Sequence, residues 1–513
     1  MSSNSKGRVI IVGSGLGGLV CGYILAKNGY RVTVLEKHYQ IGGCLQTFTR
    51  NGVKFDTGMH YIGSLEKGQI LYTFFKYLDL LDNIKVVPLD RDGFDVFRIG
   101  NNTYRYAYGA EHFIDTMAAQ FPNNREDIAL YVRRIREIAE ASFTHSLRHI
   151  SEDSTINREA LSTSYNDFIA SCTDNPHLQA VLAANSFLYA GVWDKTPAYV
   201  MVHLNNFYIQ SAYRILGGSD IIASCLARSI ESMGGEVLTS AEVTEFVCDQ
   251  KQMTHVELSD GRVLEADYFV SDVHPSITLS KIKSPLIRKV YRARITDMDN
   301  TLSVFTLYIV FKKNTVKYNN YNFYFFDNED CIRNNRCDLE TFPSSYLYIH
   351  QLSDEQNEFA ESAEVITYMK YSDVSKWENS TVGRRGADYE AFKKECAEKM
   401  INKLDMQFPG IKDCIAHYYT SSPLTYRDYT ATANGSLYGI AKDKGNPIQS
   451  RVSQRTKIPN FYFTGQNINL HGMLGVIVSA ISTASEFVSI EKILSDIQNR
   501  ITKIGRASCR ERV

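Results

Sequence analysis

The chain opens its pattern with Val9-Ile10-Ile11-Val12, an unbroken aliphatic run behind Arg8. Such a run is too short for a helix and has no polar alternation, so it predicts a strand buried on both faces of a parallel sheet. Apolar positions then recur at helical spacing through Leu19, Tyr23 and Ala26, predicting a helix over 16–28 that Gly29 ends. A second β-branched run over 31–36 completes a β-α-β unit. Further strands are expected over 53–56 and 95–106, the latter around the turn Gly100-Asn101-Asn102. Helices are expected over 111–120 and 125–143, the second with Ile128, Tyr131, Val132, Ile135, Ile138 and Ala139 on one stripe. Residues 165–203 read as mostly helical and unusually apolar for a surface. Another helix starts at Gly217-Gly218-Ser219-Asp220 and runs through Met233. Strands follow over 236–239 and 241–248, then a hairpin turning at Asp260-Gly261 and a strand over 268–271. Aromatic-rich strands are expected over 301–311 and 322–326, a last strand over 460–464 and a last long helix over 474–495.

Candidate chemistry sits in the first loop. Gly13, Gly15 and Gly18 fall between strand and helix, in Gly13-Ser14-Gly15-Leu16-Gly17-Gly18. Gly13 permits the tight turn, Gly15 lets backbone approach a pyrophosphate, and Gly18 lets the helix pack close to the sheet. Phosphates would rest on the free amides of the helix N-terminus, at Leu16 and Gly17. Glu36, followed by Lys37, ends the second strand about twenty residues on, where a carboxylate accepts from ribose hydroxyls and repels a 2′-phosphate. That favours FAD or NAD over NADP. Gly42-Gly43, with Cys44 after them, let a second loop pass close to the same ligand. Val243, in the strand over 241–248, joins this set. Near the other end, Gly465-Gln466 leads through Gly472, Leu474 and Gly475 into a helix, a second N-terminus suited to a ribityl chain and flavin. A second glycine fingerprint for a separate NAD domain is not found, so one tightly bound nucleotide, FAD, is the simpler reading, with NAD(P)H as an external electron donor at most.

At 513 residues the chain is too long for one core. The expected fold class is α/β: a Rossmann-like FAD-binding domain with a doubly wound parallel sheet, interleaved with an α+β substrate domain. Segments 1–90, 211–280 and 421–498 are assigned to the first, and 91–210 and 281–420 to the second. Charge narrows the partners: 56 basic against 57 acidic residues leave no field for nucleic acid. The 32 Tyr and 26 Phe, many between Tyr291 and Tyr371, suggest a deep core or an apolar pocket. The ten cysteines lack zinc or redox spacing and read as free thiols of a reducing compartment. No signal-peptide pattern and no membrane-length apolar window occur, so a cytoplasmic protein, soluble or peripheral on a membrane, is expected. Segment 504–513 resembles translated sequencing-adapter DNA; it is expected to be foreign to the native chain, with Cys509, and is set aside. Oligomeric state is not legible.

From Gly13 to Phe48, above all over 36–48, the sequence resembles the retinol saturase (all-trans-retinol 13,14-reductase-like) branch of the carotenoid isomerase and phytoene desaturase flavoproteins. Phe55-Asp56-Thr57-Gly58-Met59-His60-Tyr61-Ile62-Gly63 is similar to that group's next motif. Leu216–Asp220, Val270–Pro275 and Phe463–Asn467 with Gly472–Gly475 stand where its later motifs stand. The likeness covers roughly the cofactor segments. It implies FAD, a long apolar polyene or related lipid as substrate, and redox chemistry on a C=C or C–C bond. It leaves saturation, desaturation and isomerisation open.

His60 and Tyr61 are the first candidates for a proton donor or for orienting groups beside the flavin, the alternative being buried structural roles. His471, before the flavin-end glycines, is a second candidate. His274, before Pro275, is expected to shape a turn, and Cys44 to lie by the pyrophosphate, too far for a covalent flavin bond. No metal site is expected. The apolar region 181–213, with Trp193, Tyr199 and Phe207, reads either as substrate-domain core or as a membrane-docking or tunnel-lining surface. The aromatic strands are expected to floor the pocket. Rival readings are a flavin amine oxidase, which would carry an aromatic cage, and a non-enzymatic lipid-escort protein on the same fold, which would carry an eroded phosphate loop.

Overall fold

The computed structural model describes residues 6–142, 155–334, 337–351, 353, 355 and 357–508. The β-branched runs assemble into a five-stranded, wholly parallel sheet ordered Glu236–Leu238, Arg31–Leu35, Arg8–Val12, Tyr268–Ser271, Phe461–Phe463. Its strands thus come from the start, middle and end of the chain. Side chains alternate across it. Val9 and Ile11 face the helices Leu16–Lys27, Asp220–Ser232 and Gly472–Ala484, while Ile10 and Val12 face a small antiparallel sheet, Val243–Cys248, Met253–Leu258 and Val263–Glu265.

A mixed seven-stranded sheet forms a second layer, ordered Ile415–Ser421, Ser303–Phe311, Ser362–Met369, Ser345–His350, Asn322–Phe326, Asp95–Ile99, Asn102–Tyr106. Its two faces split by parity. Phe305, Leu307 and Ile309, with Ala363, Val365 and Met369, pack under the helix Ala387–Gln407. Val304, Ile366 and Tyr368 face the opposite way, toward Phe187 and the helical segments over 165–210. Smaller sheets hold the connecting loops: Thr47–Arg50 with Val53–Asp56, and Ile62–Gly63 with Ala212–Ile215 and Val86–Pro88.

Three expectations change. The helix over 474–495 is broken into Gly472–Ala484 and Ile490–Ser508. Phe487 is drawn out to pack against Tyr30, Tyr268 and Tyr462, and Glu486 turns to Arg455. The hydroxyl of Ser489 then accepts from the Lys492 amide to begin the next helix. Of the readings of residues 181–213, the structure narrows the choice to core and cavity lining for most of the segment: Tyr199 is 8% exposed and Phe207 3%, the helix Ala198–Gln210 is buried all round, and Phe187, Leu188, Tyr189 and Tyr208 line the cavity described below. Finally, the strands Ser345–His350 and Ser362–Met369 and the helix Ala387–Gln407 were not expected. The last helix enters segment 504–513, of which 509–513, with Cys509, lie outside the described residues; so does residue 143, the end of the 125–143 helix, which is described as Arg125–Glu140. Among the described residues no helix is long and apolar enough to cross a membrane.

Candidate functional site

Between the two layers lies a cavity of about 610 Å³ that runs from the first glycine loop to the N-terminus of the helix Gly472–Ala484. Gly13, Gly15, Leu16 and Gly17 line one end, with Glu36, Lys37 and Val243. Gly42, Gly43 and Cys44 line its middle. His60, Tyr61, Gln466 and Gly472 lie farther along. Gly18, Gly465, Leu474 and Gly475 do not reach the wall; they stand behind it.

At the loop end the backbone does the shaping. Glu36 is 7% exposed and its Oε2 accepts from the amide of Ser14 at 3.1 Å and from its hydroxyl at 2.6 Å, while Oε1 accepts from the amide of His38. The carboxylate is therefore fixed at the end of its strand, facing the cavity. A residue without an expected role stands opposite. Strand Tyr268–Ser271 pairs with Arg8–Val12 so that Ser271 lies beside Val12, and Asp272 must emerge beside the glycine loop. A Cβ at position 15 or 17 would lie 2.5 or 2.4 Å from its carboxylate. Burial raises the Asp272 carboxyl from its usual 3.8 to about 7, against a hydrogen bond from the Gly18 amide and with a smaller push from Glu36. The strand register was the signal that could have found it.

The residues at this end fit FAD. The loop presents bare backbone amides at a helix N-terminus for a pyrophosphate. Glu36 offers a held carboxylate for ribose, and the cavity continues far enough to reach a second helix N-terminus at Gly472. Cys44 borders the cavity near Asp272, and burial pushes its thiol up to about 11, so it stays neutral. The described cysteines are all free.

The far end is built from side chains. The loop before Ile62–Gly63 brings in His60, whose Nδ1 stands 3.2 Å from Oε2 of Glu364. Burial, with Arg214, lowers the His60 imidazole to about 4, and burial, with Asp56, raises Glu364 well above the carboxylate range. Despite the short distance, this is a neutral pair and not an ion pair. Tyr61 has its hydroxyl engaged, 2.8 Å from Tyr324 and 3.2 Å from Asp95, whose carboxyl burial raises to about 7. Beside them Val304, Leu347, Ile366 and Tyr368 of the large sheet form an apolar floor, with Phe187 and Leu188 opposite.

His471 lies behind the wall. It is 4% exposed, with its ring 4.8 Å from that of Tyr189 and 4.9 Å from that of Tyr438, and neither nitrogen has a hydrogen-bonding partner among the described residues. Burial, with Lys442, holds it at about 3. A Cβ at position 472 would fall 1.7 Å from the Tyr189 hydroxyl, so only glycine admits this tyrosine against the helix N-terminus. His274 caps the helix Pro275–Ser280 and reaches Asn300 at 2.8 Å. Among the described residues no three His, Cys, Asp or Glu side chains converge as a metal site would require.

Known proteins bear on this geometry. The all-trans-retinol 13,14-reductase of Rattus norvegicus is 27% identical over 96% of this chain and 88% of its own. The 4,4′-diapolycopene oxygenase of a Methylomonas species is 23% identical over 97% of this chain and 100% of its own. Among solved structures, a variant of putrescine oxidase superposes with a TM-score of 0.65 at 16% identity, over 94% of this chain and 99% of that one, a likeness of fold. The model of the flavin containing amine oxidoreductase family matches residues 16–487. By that match over most of its length, the chain belongs to the flavin containing amine oxidoreductase family and is an FAD-dependent oxidoreductase.

Proposed function

We propose that the protein saturates a C=C bond of a long apolar polyene or related lipid. The observation that carries this reading is the floor of the far end: Val304, Leu347, Ile366 and Tyr368, with Phe187 and Leu188 opposite, surround the space beyond His60 with apolar surface. A chain of conjugated double bonds gains from every part of such a wall. A protonated amine would lose its hydration there with no carboxylate among those wall residues to replace it. The names of two relatives, a retinol reductase and a diapolycopene oxygenase, supply the polyene class.

Bound and reduced, FAD supplies the two electrons and one of the two hydrogens that saturation requires. Gly13, Gly15, Leu16 and Gly17 would hold its pyrophosphate, Glu36 its ribose, and the helix beginning at Gly472 its far end. The apolar floor orients the alkene and excludes water. His60, neutral and on the cavity wall, carries the second hydrogen as the proton on its ring. Tyr61, engaged by Tyr324 and Asp95, keeps the neighbouring backbone in place. NAD(P)H is the external donor in this reading. A polyene partitions into lipid, so the protein would take its substrate from a membrane surface by peripheral contact, on the cytoplasmic side. Desaturation and isomerisation use the same pocket and differ in the oxidation state supplied.

Two rivals fare worse. An amine oxidase needs a slot between two aromatic rings, but Tyr189 and Tyr438 touch, with centroids 5.1 Å apart. A lipid-escort protein does not require the intact glycine loop and Glu36.

The test is anaerobic. The dithionite-reduced protein is mixed with retinoids, carotenoids and unsaturated fatty acids, and flavin absorbance and product mass are followed. Flavin reoxidation with a product two hydrogens heavier is expected. Products of unchanged mass over a flavin that stays reduced would establish isomerisation instead. Reduction of the oxidised protein by amines, with no reaction of any polyene, would overturn the reading.

A further inference from the structure

Two buried carboxyl groups stand on the cavity face of the large sheet, Asp95, engaged by Tyr61 and Asn322, and Glu364. Along Ser362–Met369, residues 364, 366 and 368 share that face, so Glu364 stands in line with Ile366 and Tyr368 of the cavity floor. It is fully buried, and a carboxylate left alone there would be very costly. Among the described residues no Lys or Arg comes within ion-pair distance of it. Oε1 accepts from Gln351 Nε2 at 2.7 Å. Asp56 acts on Glu364 in both directions, its carboxylate raising the carboxyl and its backbone amide lowering it. Tyr308, the cross-strand neighbour of Glu364, and Tyr426 on the adjoining helix also lie within its electrostatic reach, with their hydroxyls engaged by Ser421 and Thr306. Arg214 acts from a distance, its Nη2 being spent on Asn322 and the Tyr321 carbonyl. Oε2 has no hydrogen bond among the described residues, and the same is true of His60 Nδ1, the atom it meets at 3.2 Å. Two sealed polar atoms, neither of them hydrogen-bonded, thus stand 3.2 Å apart. Both would be satisfied by a protonated carboxyl that turns its O–H onto the imidazole nitrogen across that gap.

We propose that Glu364 is a positioning residue that holds the proton for His60, its carboxyl O–H donating to Nδ1 and fixing the ring as the Nε2–H tautomer. This rests on the reading of the site as a saturase. During protonation the Nε2–H bond of His60 breaks as a C–H bond forms on the alkene carbon that holds the electron pair. The O–H bond of Glu364 breaks as Nδ1–H forms. Imidazole remains neutral and Glu364 becomes a carboxylate. Water entering after product leaves returns a proton to Nε2 as Nδ1–H goes back to Glu364. Electrons come from the reduced FAD of the reaction, so the pair changes only its protons. His60 touches substrate, and Glu364 acts through it.

The experiment uses the FAD-loaded full chain, with histidine ring nitrogens labelled with ¹⁵N and the His60 signals assigned by their loss in His60→Asn. In the native protein Nδ1 should be unprotonated and hydrogen-bonded, and Nε2 protonated, across neutral pH. Glu364→Gln should keep that tautomer, because an amide N–H replaces the carboxyl O–H, yet reduce polyene turnover about a hundredfold, because it has no proton to release. Glu364→Leu should lose the fixed tautomer. A native His60 protonated at Nδ1 would overturn the proposal without any substrate and without any variant having to fold. Native turnover and pH profile in Glu364→Gln, with polyene reduction intact, would overturn it and leave the saturase reading standing. Failure of the native protein to reduce any polyene would sink the saturase reading, and the nitrogen spectra would still decide the tautomer.

Discussion

The two ends of the cavity are made of different material. At the nucleotide end the walls are backbone: a glycine loop, a helix N-terminus and a second glycine pair, with side chains of Glu36 and Asp272 fixed against them. At the substrate end they are side chains: a neutral His60–Glu364 pair, an engaged Tyr61 and an apolar floor drawn from three strands. Backbone-built walls fail when any atom is added, whereas side-chain walls fail one function at a time. The comparison therefore predicts that damage at the first end removes the cofactor and damage at the second leaves cofactor but removes chemistry.

The largest effect should come from Gly17→Val. A Cβ at position 17 would lie 2.6 Å from Gly465 Cα and 2.4 Å from the Asp272 carboxylate, so backbone must move to admit it. Protein purified with this change should be colourless, read by the visible flavin spectrum. A yellow, fully loaded variant would show that the loop has slack and would break the comparison. His60→Asn should sit at the opposite pole. It should stay yellow and lose about a hundredfold in polyene reduction, the usual weight of one general acid. Loss of flavin in that variant would mean that the two ends are not separable.

The same division explains what could be read from the chain. The β-α-β unit was legible because its information is local: aliphatic run, glycines, helical period and acid all lie between Arg8 and Glu36. The large sheet was harder. Every residue of Ser303–Phe311 is buried, so both faces are apolar and no alternation marks a strand. Its partner Ser362–Met369 lies beyond three intervening elements. Helix Ala387–Gln407 did carry a signal in the spacing of Cys396, Ala397, Met400, Ile401 and Leu404, and its charged face obscured it. His60 was reachable only through a family resemblance. Glu364, from a strand some three hundred residues away, was not reachable at all, because nothing local distinguishes it from a solvated acid. Asp272 lies within the motif Val270–Pro275, but its place against the glycine loop needed the strand register.

Asp272 sharpens the comparison most finely, since it is a side chain in a backbone-built wall. Its folded carboxyl titrates at about 7 against the usual 3.8. Below pH ~4 the group is protonated in folded and unfolded chains alike, and its favourable contribution is fully present. Between pH ~4 and ~7 the unfolded chain releases the proton while the folded one keeps it, so stability falls as the pH rises through that window. Above it the carboxylate lies in the cradle that a pyrophosphate would share, and like charges oppose each other. FAD affinity should therefore decline as the pH passes about 7, by about tenfold if binding shifts this carboxyl by about one unit. Asp272→Asn should flatten that decline and bind FAD at high pH as well as it does near neutrality, measured by flavin fluorescence on titrating the apoprotein. An undiminished pH dependence in Asp272→Asn would assign the effect to another group and leave the nucleotide end purely backbone in character.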